Sequence, residues 1–250
     1  MQDKRVALIS GANKGIGLQI AKDLVANGLT VLVGSRNLGK GEAAAKGIGP
    51  DAHAVQLDVT DQDSISAAAK HIREEFGRLD VLVNNAGIAY AGEPGTPFEE
   101  RMKTNVPSTG AIDNMRAIFE TNVFGVAAVT QAMLPLLREA PAGRIVNVSS
   151  GVGSLTKQTD PTYPYYSIKS VGYAPSKTAL NAITIAFAKE LETTRIKVNA
   201  ACPGFTATDL NQFRGTRTVE QGARAAVRLA QLDAKGPTGT FSNEDGQLPW

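Results

Sequence analysis

Arg5–Ser10 reads RVALIS, Gly11–Gly17 continues GANKGIG, and the run on to Asn27 completes IGLQIAKDLVAN. A short apolar run rich in branched residues and closed by glycine has the pattern of a buried strand. Beyond the glycines, Ile16, Ile20 and Leu24 recur at four-residue spacing. They lay one apolar stripe along a helix that Gly28 stops. Strand, glycine turn and helix together open a βαβ unit.

The same alternation runs outward from this stretch. Thr30–Ser35 (TVLVGS), Ala54–Val59 (AVQLDV), Asp80–Asn84 (DVLVN), Arg144–Ser149 (RIVNVS) and Ile196–Ala201 (IKVNAA) have strand patterns. Ser64–Phe76, Asn114–Val129 and Ser176–Glu192 have helical ones. Continuous apolar strands separated by helices predict a parallel sheet covered on both faces, the α/β doubly wound, Rossmann-type fold. Nothing resembling a linker or repeat divides residues 1–250, so one domain is expected. Ala89–Ser108, with Pro94, Pro97 and Pro107, and Gly151–Gly172, with Pro161 and Pro164, break the rhythm. They are expected to be functional loops at the carboxyl ends of strands, where ligands bind in such sheets.

Composition excludes several classes. The chain is 42% apolar and 20% charged with a net charge of +2, and no basic block argues for nucleic acid. The single Cys202 forbids an intrachain disulfide and suits a reducing, cytoplasmic setting. No apolar run approaches the ~20 residues of a membrane span, and Met1–Arg5 leaves no room for a signal peptide. His53 and His71 lack partners at metal-ligand spacing, so no metal is expected. Cys202, Met115, Met133 and Phe124 are expected in the core.

The turn Gly11, Asn13, Lys14, Gly15, Ile16, Gly17 is spaced G-x-x-x-G-x-G. Glycines let the backbone approach a pyrophosphate, and the helix N-terminus aims free N–H groups at it. Cofactor type is read at the end of the second strand. An acid there would bind the 2′-hydroxyl of NAD; this chain has Gly34-Ser35-Arg36-Asn37, with no acid until Glu42. Arg36, with Lys14 as a second cation and no opposing acid, favours a 2′-phosphate and hence NADPH/NADP+. Asp58, with Val59 beside it, is a candidate for the adenine amino group.

Tyrosine with lysine four residues later places both on one helical face. An ammonium there favours the phenolate and lowers a pKa that starts near ~10, so such a tyrosine can exchange a proton with a substrate oxygen. The pattern occurs twice, as Tyr165…Lys169 and Tyr173…Lys177. A helix opening at Tyr165 would enclose Gly172 and Pro175. One opening near Tyr173 leaves Pro175 in its first turn, where proline is tolerated. Tyr173 and Lys177 are therefore chosen, and Tyr165 is assigned to a loop near the substrate. Tyr163, Tyr165 and Tyr166 form a candidate lid, and Phe205 and Phe213 mark a closing loop over 205–218.

Five motifs in order, SGANKGIG at Ser10–Gly17, NNAG at Asn84–Gly87, NVSS at Asn147–Ser150, YAPSK at Tyr173–Lys177 and PGFTAT at Pro203–Thr208, resemble those of the short-chain dehydrogenase/reductases. The resemblance covers nearly the whole chain and is strongest to NADPH-dependent carbonyl reductases. It implies Tyr173 as general acid, Lys177 holding the nicotinamide ribose, and Ser150 rather than Ser149 on the substrate carbonyl. It also implies Asn122 holding a water that relays protons to Lys177, and Asn85, Ala86 and Gly87 beside the cofactor. Pro203, Gly204, Thr206 and Thr208 would face the nicotinamide, with Thr208 preferred for its carboxamide. The expected partner is a small carbonyl compound, with neither nucleic acid nor membrane. Ser10 stands where threonine is usual. An insertion before the tyrosine accompanies a monomeric state in similar carbonyl reductases; this one is shorter, which leaves monomer and homo-oligomer open. The same machinery run as an alcohol dehydrogenase, or a silent dinucleotide-binding module, are the alternatives.

Overall fold

A computed structural model describes residues 4–93 and 95–250. Met1–Asp3, ahead of the first strand, and Pro94, counted above among the loop prolines, lie outside the described residues. Seven strands form one sheet: β1 (Val6–Ser10), β2 (Thr30–Ser35), β3 (Ala52–Gln56), β4 (Val81–Asn84), β5 (Arg144–Val148), β6 (Lys197–Ala201) and β7 (Phe241–Ser242). Their order is β3-β2-β1-β4-β5-β6-β7, and every neighbouring pair is parallel. The order reverses direction between β1 and β4, the switch point at which the carboxyl ends of such a sheet open a crevice.

The strands' two-residue period divides the core. Ala7 and Ile9 of β1, Val31 and Val33 of β2 and Val81 and Val83 of β4 pack under α1 (Gly15–Ala26), α2 (Leu38–Ile48) and α9 (Val219–Ala230). Leu8, Leu32 and Leu82, one residue out of phase, pack under α3 (Gln62–Phe76), α6 (Gly125–Glu139) and α8 (Tyr173–Glu190). All three leucines are fully buried, each contributing roughly 1.5–3 kcal/mol. The expected doubly wound α/β architecture is the observed one.

Four local expectations are corrected. The third strand ends at Gln56, not Val59. After Leu57 N donates to Ser35 O, the chain turns, and Asp58 Oδ1 takes the N–H and hydroxyl of Thr60. Leu57 and Val59 are buried by that turn rather than by strand pairing. The two-residue β7 is too short to leave a periodic signal. The run read as Asn114–Val129 belongs to a continuous helical stretch: α5 (Ile112–Phe119), a π turn over Glu120–Phe124, and α6. At 28 residues it is long and apolar enough to cross a membrane by length and composition, although the sequence analysis found no such run. Its interspersed polar residues hid it, and it packs against α3, α8 and the sheet. The π turn also shifts the phase of the helix faces. Met133 is consequently buried, whereas Phe124, expected in the core, is 58% exposed.

The two irregular segments carry little regular structure. Ala89–Ser108 contains α4 (Phe98–Thr104), and Gly151–Gly172 contains a 3₁₀ turn at Gly151–Gly153 and the four-residue α7 (Leu155–Gln158).

Candidate active site

A cavity of about 750 Å³ opens at the carboxyl ends of β1, β2, β4, β5 and β6. Its dinucleotide end is built by the glycine turn. Gly11 and Gly15 take positive φ, 65° and 58°. A Cβ on Gly17 would lie 2.4 Å from Asn85 Nδ2 and 2.7 Å from Gly11 O, so only glycine allows this close approach. Asn85 holds the turn in place: its Nδ2 donates to Ser10 O and Gly11 O. Ser10 Oγ in turn accepts the main-chain N–H groups of Asn85 and Ala86, each at 3.0 Å. The smaller hydroxyl residue at this position thus joins β1 to the segment after β4.

The N-terminus of α1 has no side-chain cap, and its first turn holds no acid. Its orphan N–H groups and positive dipole end therefore suit the phosphates of a dinucleotide. Asn13, Ile16, Arg36, Asp58, Val59, Ala86, Gly87, Pro203, Gly204, Thr206 and Thr208 line the same cavity. The two cations expected at the adenosine end are not equivalent. Arg36 is exposed and has no ion pair among the described residues, whereas Lys14 Nζ lies 3.1 Å from Asp209. The expectation that no acid opposes them is thus corrected. Asp209 is distant in sequence and is brought there by the 205–218 loop. Asp58 Oδ1 is taken by Thr60, and these two bonds, more than the nearby Arg36, hold its carboxyl below the usual range. Thr206 is buried with its hydroxyl donating to Pro203 O.

At the other end, α8 begins at Tyr173, as the proline argument required. Pro175 lies in its first turn, and Tyr165 is a loop residue of the cavity wall with Lys169 exposed outside the helix. Lys177 is buried, its ammonium 2.8 Å from Val148 O and 5.7 Å from the Tyr173 ring centroid. Ser150 and Tyr173 face the same cavity, and the Ser150 hydroxyl is near enough to the phenol to favour its ionised form. Ser149 is buried, and its hydroxyl donates to Asn181 Oδ1 at 2.6 Å, which leaves Ser150 as the serine of the cavity wall able to meet a ligand. Burial pushes the Tyr173 phenol up to about 12, and the nearby Ser150 hydroxyl only partly opposes this. Burial likewise pulls Lys177 down to about 8. The expected lowering of the tyrosine by its lysine is therefore not found among the protein's own groups. Desolvation disfavours both charges: Tyr173 stays a neutral phenol at neutral pH, while Lys177 loses its proton more readily than an ordinary lysine.

Asn122 lies in the π turn, fully buried behind the cavity wall rather than on it. Its Oδ1 accepts from Ile88 N, and its Nδ2 donates to Ile88 O and Ser176 Oγ. The side chain is thus committed to joining the segment after β4 to α8. Three further polar links hold α8 on the sheet: Lys177 to Val148, Asn181 to Ser149, and Thr184, whose hydroxyl accepts from Asn147 Nδ2 at 2.9 Å.

The irregular segments supply the remaining wall: Tyr90, Phe98, Arg101, Met102, Tyr163 and Tyr165. Tyr165 packs edge-on against Tyr163 at 5.5 Å and tilted against Phe205 at 5.8 Å. The lid tyrosines therefore include two wall residues, whereas Tyr166 is 49% exposed. Cys202 is packed with Ala200 and Phe241, as expected, and also reaches the cavity. Arg101, Lys157 and Asp209 were missed by sequence reasoning. Their only signal was position within irregular segments.

A parallel sheet with this switch point, a glycine turn under an uncapped helix, and a half-buried tyrosine with a buried lysine beside a serine define a dinucleotide-dependent oxidoreductase. Comparison with known proteins agrees. The family model of the short chain dehydrogenases matches residues 5–218. Short-chain dehydrogenase anuI of Penicillium roqueforti is 38% identical over 91% of this chain and 88% of its own. Carbonyl reductase (NADPH) 1 of Homo sapiens is 34% identical over 98% of both chains. The structure of salutaridine reductase from Papaver somniferum superposes with a TM-score of 0.79 at 29% identity, covering 95% of this chain and 99% of that one. The chain belongs to the short-chain dehydrogenase/reductase family, whose members are oxidoreductases that bind a nicotinamide dinucleotide.

Proposed function

We propose that the protein reduces aldehydes or ketones to alcohols with NADPH, and that Tyr173 is the proton donor. The observation that carries this reading is the convergence of Ser150, Tyr173 and buried Lys177 on one cavity at the sheet's switch point. The dinucleotide supplies the hydride. The protein's own groups do the rest. Ser150 and Tyr173 present two hydroxyls to one carbonyl oxygen, stabilising negative charge as it develops there. With its pKa near 12, Tyr173 stays protonated at neutral pH and gives its phenolic proton to that oxygen. Lys177 holds the ribose and returns charge balance to the tyrosine. Asn122, through Ser176 and Ile88, positions the start of α8 and, by the family resemblance, would hold the water that relays protons to Lys177. Gly11, Asn13, Gly15, Ile16 and Gly17 hold the pyrophosphate, Asp58 and Val59 the adenine, and Asn85, Ala86, Gly87, Pro203, Gly204 and Thr208 the nicotinamide half. Arg36 gives the preference for the 2′-phosphate. The NADPH dependence named for a carbonyl reductase 34% identical to this chain supports the same choice.

The test is oxidation of NADPH, and separately NADH, with a panel of aldehydes, aryl ketones and diketones. Turnover with NADPH, lost in Tyr173→Phe while NADPH binding persists, is expected. Full activity in that variant, or a preference for NADH, overturns the assignment.

A further inference from the structure

The charges lining the cavity are unevenly placed. Its carboxylates, Asp58 and Asp209, stand beside Arg36 and on Lys14 respectively, each already facing a cation. The wall formed by the irregular segments carries two cations, Arg101 and Lys157, and no acid. Arg101 is partly used: its Nε donates to Thr96 O at 2.7 Å, and its guanidinium stacks 4.8 Å from the Tyr90 ring centroid. Lys157 has less. Its ammonium lies 5.4 Å from the Tyr163 ring centroid and forms no ion pair among the described residues. The one acid close to it in sequence, Asp160, accepts from Thr162 N and Thr162 Oγ1 instead.

Tyr163 connects this lysine to the reacting centre. Its hydroxyl reaches within 2.7 Å of where a Cβ on Gly151 would stand, immediately after Ser150. The Lys157 charge is also felt at the Cys202 thiol, 3.7 Å from that same point. A cation on a half-buried side chain, set against an aromatic face and without an ion pair among the described residues, gains from an incoming anion.

We infer that Lys157 is a specificity-determining cation and that the carbonyl substrate carries a carboxylate, received at Lys157 over the Tyr163 ring while its carbonyl meets Ser150 and Tyr173. The inference rests on the reductase reading for the second half of that statement, and on the charge distribution alone for the first.

The experiment pairs 4-carboxybenzaldehyde with its neutral methyl ester as substrates, in wild type, Lys157→Met and Lys157→Arg. Wild type is expected to favour the acid in kcat/KM by about tenfold or more. Lys157→Met should lose that preference while turning over the ester within about threefold of wild type, and Lys157→Arg should keep it. Equal use of acid and ester by wild type, or equal loss on both in Lys157→Met, overturns the inference. Calorimetric titration with 4-(hydroxymethyl)benzoate and its methyl ester separates the two readings. Binding of the acid that is lost in Lys157→Met sustains the anion site even where no aldehyde is reduced, an outcome that would sink only the reductase assignment. Absence of any acid preference in binding rejects the site whatever the turnover. Lys157→Gln serves as the second variant where Lys157→Met unfolds.

Discussion

Gly153 lies in the 3₁₀ turn between β5 and α7, with its Cα against the backbone of the lysine that the reductase reading requires. A Cβ built there would stand 2.7 Å from Lys177 C, 2.8 Å from Lys177 Cβ and 2.9 Å from Lys177 O. Ordinary contact begins at 3.4 Å, so Gly153→Ala leaves the turn and α8 about 0.5–0.7 Å too close. The obstacle is main chain on both sides, with no flexible side-chain end to swing away. Overpacking of this kind costs about 1–3 kcal/mol. Because α8 is the element that yields or resists, Tyr173 and Lys177 move with it. Misplacement by a fraction of an ångström should lower kcat by about tenfold or more. The assay is a urea midpoint together with kcat for an aldehyde with NADPH. Gly47→Ala is the control. Its Cβ meets nothing within 4 Å on exposed α2, and it should gain roughly 0.5–1 kcal/mol from reduced backbone freedom. A Gly153→Ala protein with wild-type midpoint and wild-type kcat would refute the reasoning. Lowered stability with unchanged kcat would show that the turn gives way and the helix does not.

Ser10→Ala removes the acceptor for two main-chain N–H groups and should cost about 2–4 kcal/mol, whereas Ser10→Thr should stay near wild type; urea midpoints decide. Arg36→Ala should weaken NADPH binding by about 10–100-fold and leave NADH binding unchanged, as followed by cofactor fluorescence. Lys14→Ala should have the smaller effect, because Lys14 already has Asp209 as a partner. With Lys177 lowered to about 8, the unfolded chain keeps a proton that the folded chain releases between pH 8 and the ordinary lysine value of 10.5. Stability should therefore rise with pH across that window, by on the order of 3 kcal/mol, before the raised Tyr173 reverses the trend above pH 10. Denaturant midpoints in Lys177→Met should lack the rising limb.

Strands β1, β2, β4, β5 and β6 were legible because each is a closed apolar run bounded by turn residues, and burial on both faces is a property of the run itself. The edge strand β3 was extended three residues too far because Leu57 and Val59 are apolar for a reason periodicity does not distinguish, burial beneath a turn. The position of Tyr173 at the head of α8 followed from one local fact, that Pro175 fits only a first turn. Asp209 against Lys14 was not legible, since nothing in sequence relates a glycine turn to a loop some 190 residues later. The raised Tyr173 and the lowered Lys177 were missed for a similar reason. Spacing places the two groups together but carries no information on how deeply both are buried. Phe124 shows the limit of a 3.6-residue period, because one π turn moved a residue from the predicted inner face to the outside.

Ser176, Lys177, Asn181 and Thr184 hold α8 by directional links to Asn122, Val148, Ser149 and Asn147. A greasy interface can slide by a turn and still bury its area, but such links break all at once. The amide protons on this stretch of α8 should therefore exchange with solvent only when the whole molecule opens. Those around α4, a helix with no buried residue, should exchange through local fluctuations. The clock of the recognition loops and the clock of the proton-donating helix would then run independently. Substitutions in Ala89–Ser108 or Gly151–Gly172 could thus alter how long a ligand stays without altering how Tyr173 is held.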